Sequence, residues 1–171
     1  MLRTSAAALL TAVGLTVVLT GTPADKLNPD EKIFITFAGQ TDLVNVRLAQ
    51  MAQMQASSPQ VKSFAVRLER DHAADLKKLT AIARRTGASA PSTLDDVHMN
   101  FVRRLNKSKG KSFDLTFLKT VVNEHENAFM PYKREADNGF NSSLKAYAKA
   151  ALPRLDSHLK QARRLAATVN K

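Results

Sequence analysis

Apolar residues recur along most of this chain at intervals of three and four positions, with polar residues between them. This period matches one face of an α-helix, whereas a half-buried strand would alternate every second residue. Four segments sustain the pattern for several turns. We predict long helices over residues 29–55, 59–86, 112–136 and 142–169, and therefore an all-α fold.

Capping residues mark the ends of these helices. Asn28 precedes a proline and lies three residues before Glu31, which predicts a reciprocal capping box. Ser58 followed by Pro59 repeats the start signal, because proline suits the first helical turn. Gly87 follows the second helix and predicts its end.

Residues 87–112 form a connection between the second and third long helices. Ser92 and Asp95 fit a second capping box, which predicts a short extra helix that continues to Leu105. The connection is long enough either to cross the bundle or to fold back at one end. Four long amphipathic helices predict a four-helix bundle with this short helix between helices 2 and 3.

Three of the long helices carry a histidine in an otherwise apolar stripe: His72, His125 and His158. Each lies near the midpoint of its helix, at about 18–24 Å from the start for a rise of 1.5 Å per residue. Helix midpoints align whether neighbours run parallel or antiparallel. We therefore expect the three imidazoles to meet in one layer of the core.

The histidine layer predicts a metal site, because imidazole is a common metal ligand. Glu69 lies three residues before His72, and Glu124 adjoins His125. An i, i+3 pair of this kind occurs in di-iron bundles. The candidate ligands are His72, His125, His158, Glu69 and Glu124, and the candidate ions are iron, manganese and zinc.

A structural role for the histidines is the alternative. The imidazoles could hydrogen-bond to one another, to Thr41 or Asn45 of the first helix, or to buried water. Such a network would fix the register of the helices without binding a metal.

The N-terminal segment differs in character from the rest. Arg3 is followed by an uncharged, apolar run over residues 5–20 and then by small residues up to Ala24. This layout is typical of a secretory signal peptide, with an uncleaved membrane anchor as the alternative. We predict a signal peptide at residues 1–24, a bundle domain at residues 25–171, and a periplasmic or secreted location.

The amino-acid composition limits the kinds of site and partner that are expected. The 171 residues include no cysteine, which excludes disulfides and zinc thiolate sites. The formal net charge of +11 favours anionic partners, such as an envelope polysaccharide or a lipid surface. A basic run over residues 103–111 has few interleaved aromatic residues, so no nucleic acid partner is expected. No nucleophile elbow, phosphate loop or zinc-protease motif is present, so no enzyme class is predicted.

Several short motifs resemble a family of bacterial exported proteins known as domain of unknown function 4142. The resemblance covers nearly all of residues 31–167. The motifs that carry it are Phe37-Ala38-Gly39-Gln40, Pro59-Gln60-Val61-Lys62-Ser63-Phe64-Ala65, Arg70-Asp71-His72, Glu124-His125-Glu126, Leu144-Lys145-Ala146-Tyr147-Ala148 and His158-Leu159.

The resemblance implies a ferritin-like bundle and export, and it brings no established activity. Similar sequences tend to have glutamate where this chain has Arg47. If that glutamate completes a metal site in the family, this chain lacks it, and a cationic side chain near the layer would oppose a metal ion. The resemblance therefore implies a single-ion or vestigial site here rather than a di-iron centre.

Overall fold

The computed structural model describes residues 26–171, so the predicted signal peptide lies outside the described residues. These residues form five helices and no strand, which confirms the all-α prediction. None of the helices combines the length and the apolarity needed to cross a bilayer. The helices are α1 (Pro29–Gln55), α2 (Pro59–Arg85), α3 (Asp96–Lys107), α4 (Gly110–Asn138) and α5 (Ser142–Val169).

The capping residues explain most of these boundaries. The Asn28 side chain accepts a hydrogen bond from the Glu31 amide at 2.8 Å, and the Glu31 carboxylate accepts one from the Asn28 amide at 2.8 Å. Ser58 caps α2, and Asn141 caps α5 through the Leu144 amide at 3.0 Å. These contacts satisfy amides that have no partner within their own helix.

The start of α3 differs from the prediction. Ser92 does not cap it; Asp95 does, by accepting a hydrogen bond from the His98 amide at 2.9 Å. The physical reason lies in α1, where the Gln40 amide group bonds the Thr93 carbonyl at 3.0 Å and the Asp95 amide at 3.1 Å. These two bonds hold the backbone before Asp95 outside a helix.

Hydrogen bonds at the two ends of the bundle define its topology. Asp114, near the start of α4, accepts bonds from the amides of Ser57 and Ser58 in the loop between α1 and α2. At the other end, Glu31 accepts a bond from the amide of Asn141, just before α5. Hence α2 and α4 run in the same direction, and the segment between them, which contains α3, crosses the length of the bundle. The order is up-down-down-up, and α1 and α5 each pack against both α2 and α4 in turn.

A polar layer divides the core into two apolar halves. One half surrounds Phe64 and Phe117, and the other surrounds Phe34 and Tyr132. The three histidines lie at positions between these halves in α2, α4 and α5. The helical spacing of apolar residues in α1 predicts Ile33 in the core, but Ile33 is 65% exposed and its neighbour Phe34 is buried instead.

Candidate metal centre

The three predicted histidines come together in the middle of the bundle. The Nε2 atoms of His72 and His125 are 3.3 Å apart, and His125 Nε2 is 3.4 Å from His158 Nδ1. One nitrogen from each ring lies within 4.8 Å of the other two. The residues are 3%, 1% and 2% exposed respectively, so the cluster is closed to bulk solvent.

The outer nitrogen of each ring is bound to an oxygen atom. His72 Nδ1 is 2.8 Å from Asp42 Oδ1, His125 Nδ1 is 2.8 Å from the Val121 carbonyl, and His158 Nε2 is 3.0 Å from Asp71 Oδ2. A carbonyl or ionised carboxylate can only accept a hydrogen bond, so each outer nitrogen donates one. A ring in its neutral form therefore presents its unprotonated nitrogen to the centre of the cluster.

Three lone pairs that converge in this way repel one another unless a cation lies between them. Metal–nitrogen bonds of about 2.0–2.1 Å in tetrahedral geometry place the ligand nitrogens about 3.3–3.4 Å apart. The separations of 3.3 Å between His72 and His125 and 3.4 Å between His125 and His158 match this spacing. Hydrogen bonds from the outer nitrogens to carboxylate and carbonyl oxygens are also the usual support for metal-bound histidines.

Asp42 is the most buried carboxylate beside the cluster, at 1% exposed. The Tyr147 hydroxyl donates to its second oxygen at 2.9 Å, and the Tyr132 hydroxyl lies 3.3 Å from that of Tyr147. Among residues 26–171 no lysine or arginine forms an ion pair with Asp42. Burial raises the pKa of Asp42, although the hydrogen bond from His72 opposes this. The site thus contains a buried carboxylate whose hydrogen-bond partners are the His72 ring and the Tyr147 hydroxyl.

Burial also disfavours protonation of the histidines. It lowers the pKa of His125 well below its ordinary value, and the adjacent His72 and His158 lower it further. The pKa of His158 falls to about 4, chiefly because of burial and then because of His72. Both rings are therefore neutral at pH 7, which is the form that binds a metal.

Asp71 connects the cluster to the surface. Its side chain is 18% exposed and is bound by Arg70 at 2.9 Å as well as by His158. Burial raises the pKa of Asp71, but the hydrogen bonds from Arg70 and His158 outweigh this and keep it below the ordinary value. The His158 corner is therefore the part of the site nearest to solvent.

The two predicted glutamates do not join the histidines. Glu69 faces α1, where the side-chain amides of Gln50 and Gln53 bind its carboxylate. Glu124 faces α3, where its carboxylate is 3.5 Å from His98 Nε2. The Glu69 contacts therefore link α2 to α1, and the Glu124 contact links α4 to α3.

Arg47 and the predicted polar partners in α1 also lie apart from the cluster. Arg47 is exposed, so its charge is not in the core. Thr41 donates to the Phe37 carbonyl, and the Asn45 side chain donates to the Thr41 carbonyl. The histidine partner in α1 is Asp42 instead.

Sequence reasoning missed Asp42 and Asp71 as partners. Asp71 directly precedes His72, and Asp42 occupies the middle of α1, as the histidines do in their helices. The position of Asp42 at the midpoint of α1 therefore predicts that it lies in the same layer as the histidines.

Solved structures with the same overall fold were found. A fragment of DUF305 from Deinococcus radiodurans superposes with a TM-score of 0.74 at 14% identity, covering 84% of this chain and 99% of that one. CopM in the Cu(II)-bound form gives a TM-score of 0.70 at 17% identity, covering 81% of this chain and 96% of that one. CopM in the Ag-bound form gives a TM-score of 0.66 at 18% identity, covering 78% of this chain and 93% of that one.

No curated protein matches the sequence. A family model, in contrast, matches residues 17–165, which include all three histidines and both aspartates that bind them. The chain belongs to the family described as Domain of unknown function (DUF4142).

Proposed function

We propose that this protein is an exported, ferritin-like bundle that binds one transition-metal ion through His72, His125 and His158. The observation that carries the proposal is the orientation of the three rings. Their outer nitrogens are committed to oxygen acceptors, and their inner lone pairs converge at the spacing of metal ligands.

The donor set favours zinc or copper. Imidazole nitrogen suits zinc, copper, iron and nickel, whereas manganese prefers carboxylate and water oxygens. Glu69 and Glu124 are directed to other helices, so no oxygen ligand comes from the predicted glutamates. The structural similarity to CopM, whose structures contain Cu(II) and Ag, is consistent with this preference.

Asp42 supplies the charge that such an ion needs. Asp42 is buried with no lysine or arginine partner among residues 26–171, and a metal ion on His72 would balance its charge through the ring. The same hydrogen bond fixes the orientation of the imidazole. The aspartate is therefore a positioning residue in this proposal, and the three histidines are the ligands.

The topology supports the ferritin-like assignment. An up-down-down-up bundle with one long crossover is the arrangement of ferritin-like folds. A di-iron centre in such a bundle needs glutamates on two helices and Glu-x-x-His pairs on the other two. Because Glu69 is bound to α1, this chain has the histidines without that carboxylate set. We therefore propose a site for a single ion rather than a di-iron centre, and we propose no catalytic activity for it.

We expect zinc or copper to stabilise the metal-free protein. An ion at 100 times its dissociation constant adds about 2.7 kcal/mol to the free energy of unfolding. The increase in melting temperature should be smaller at about pH 5.5 than at about pH 7.5, because protons compete for the ligands. Thermal unfolding, followed by circular dichroism with and without each metal, measures both effects.

His72→Gln should abolish this stabilisation, whereas His98→Gln should preserve it. His98 is the matched control, because it lies outside the cluster, between Asp95 and Glu124. If zinc and copper leave the wild-type melting temperature unchanged at both pH values, the metal proposal is wrong. The hydrogen-bonded layer is then structural.

A basic surface around α3 favours a second function, which is binding to an anionic envelope polymer or lipid surface. The five side chains are exposed, and none of them forms an ion pair within residues 26–171. The Cζ atom of Arg104 lies 5.4 Å from the centroid of the Phe101 ring. This contact does not neutralise the guanidinium, so its charge can still attract an anion. The residues of this basic surface are Arg103, Arg104, Lys107, Lys109 and Lys111.

Binding through the basic surface should weaken steeply as salt increases, since the Debye length falls to about 3 Å at 1 M. Replacing all five basic residues by glutamine should remove binding to anionic vesicles or to an acidic polysaccharide in a sedimentation assay. Binding that does not depend on salt would contradict this second function.

Export remains part of the proposal and rests on the pattern of residues 1–24. The N-terminal residue of the protein isolated from its host tests it: a chain that still begins at Met1 would contradict cleavage.

A further inference from the structure

A second polar site lies at the end of the bundle where α1 begins and α4 ends. A cavity of about 200 Å³ is bounded there by Glu31 and Glu135, with Phe34, Pro131 and Phe140 as apolar walls. It is remote from the histidine cluster, which occupies the middle of these helices. None of the residues that form it has a part in the metal proposal.

The two buried carboxylates at this cavity differ in how they are satisfied. Glu31 is 1% exposed and accepts hydrogen bonds from the backbone amides of Asn28 and Asn141. These amides precede α1 and α5, where the helix dipoles favour negative charge. Backbone amides therefore satisfy both oxygens of the Glu31 carboxylate.

Glu135 has no such support. It is 7% exposed, and its Oε1 atom is buried without a hydrogen-bond partner. It occupies the last turn of α4, where the helix dipole disfavours negative charge. Burial raises the pKa of Glu135 to about 7, and the negative charge of Glu31 contributes to the increase. A buried polar atom of this kind normally has a partner, so the arrangement points to a ligand that supplies one.

The lining of the cavity indicates the chemistry of the ligand. Asp30, Glu31 and Glu135 contribute three carboxylates, against one cation from Arg134. The net negative charge favours a cation. A calcium or magnesium ion takes six or more oxygen ligands, whereas an ammonium group needs a few acceptors and tolerates aromatic walls.

We propose that this cavity binds the primary ammonium group of a small amine, with Glu135 Oε1 accepting a hydrogen bond from the ammonium and Phe34 and Phe140 covering its alkyl chain. Phe140 lines the cavity and is 85% exposed. The apolar side chains of Phe34 and Phe140 should favour an amine with a hydrocarbon chain over a bare inorganic cation.

Titration with n-butylammonium chloride tests the proposal. At about pH 8, above the pKa of Glu135 of about 7, wild-type protein should bind the amine saturably in the millimolar range expected for so small a ligand. Backbone amide shifts in NMR spectra should localise to the cavity. Sodium chloride at equal ionic strength should produce no such shifts.

Glu135→Gln should weaken binding of the amine at least tenfold while keeping the fold, because it removes only a buried charge. Asp137→Asn is the matched control, since Asp137 lies in the same turn but is exposed and bound to Lys133. It should bind the amine as the wild type does. Phe140→Ala alters an exposed side chain and should weaken n-butylammonium more than methylammonium.

Absence of saturable binding to the wild type would overturn the proposal. Equal affinity in Glu135→Gln, or binding of calcium in preference to the amine, would overturn it as well. These outcomes are independent of the metal site, because each is measured on protein treated with a chelator and without histidine substitutions.

Discussion

Phe64→Ala should lower the free energy of unfolding by about 3–5 kcal/mol, the usual cost of removing a buried phenylalanine side chain. Phe64 is 1% exposed and packs against Phe117 and the His158 ring, each with a centroid separation of 6.2 Å. The change removes apolar contact and opens a void beside a proposed ligand. Urea unfolding of the metal-free protein measures the loss.

Val66→Ala is the control for this prediction. Val66 lies two residues away on the same helix and is 55% exposed, so its truncation should change stability by no more than about 0.5 kcal/mol. Similar small effects for Phe64→Ala and Val66→Ala would mean that α2 does not bury the Phe64 face in this bundle.

The second large effect is a loss of stability in acid that depends on the histidine layer. The pKa of His158 is about 4 in the folded protein, against about 6.5 in the unfolded chain, and that of His125 is also lowered. Between these values the unfolded state binds more protons. Stability is therefore fully present above about pH 6.5 and decreases as the pH falls towards 4. His158 alone accounts for about 3 kcal/mol, at 1.36 kcal/mol per pKa unit.

Replacing His72, His125 and His158 together by glutamine should flatten this part of the stability curve. The free energy of unfolding of chelator-treated protein, measured at several pH values, tests this prediction.

His98→Gln should instead make the loss of stability in acid larger. The carboxylate of Glu124 raises the pKa of His98, and Asp95 contributes, so His98 stabilises the fold at low pH. An unchanged acid limb in the triple variant would show that the layer is not buried and neutral.

Much of the fold follows from local sequence signals. The starts of α1, α2 and α5 are set by Asn28, Ser58 and Asn141, whose side chains bond amides within their own first turn. Such contacts span three residues and are visible in sequence. The histidine layer was also predictable, because a helix has a fixed rise and each histidine lies near a midpoint.

Local sequence signals were insufficient where distant residues decide the structure. Ser92 has a capping pattern, yet hydrogen bonds from Gln40 of α1 hold the residues that follow it outside a helix. Glu69 has the spacing of a ligand, yet the amides of Gln50 and Gln53 bind it first. The direction of α4 depends on Asp114, whose partners lie in another loop. These contacts join positions far apart in the chain, and local periodicity does not encode them.

The up-down-down-up order has a consequence for how the protein folds. The hairpins α1–α2 and α4–α5 each form between helices that are neighbours in sequence. Docking of the two hairpins, in contrast, has to close the long loop that contains the crossover. His72 belongs to the first hairpin, and His125 and His158 belong to the second. The ligand set is therefore complete only after the hairpins dock, late in folding. Interactions absent from the transition state act mainly on the unfolding rate, so a bound ion should prolong the lifetime of the native state and leave the refolding rate almost unchanged.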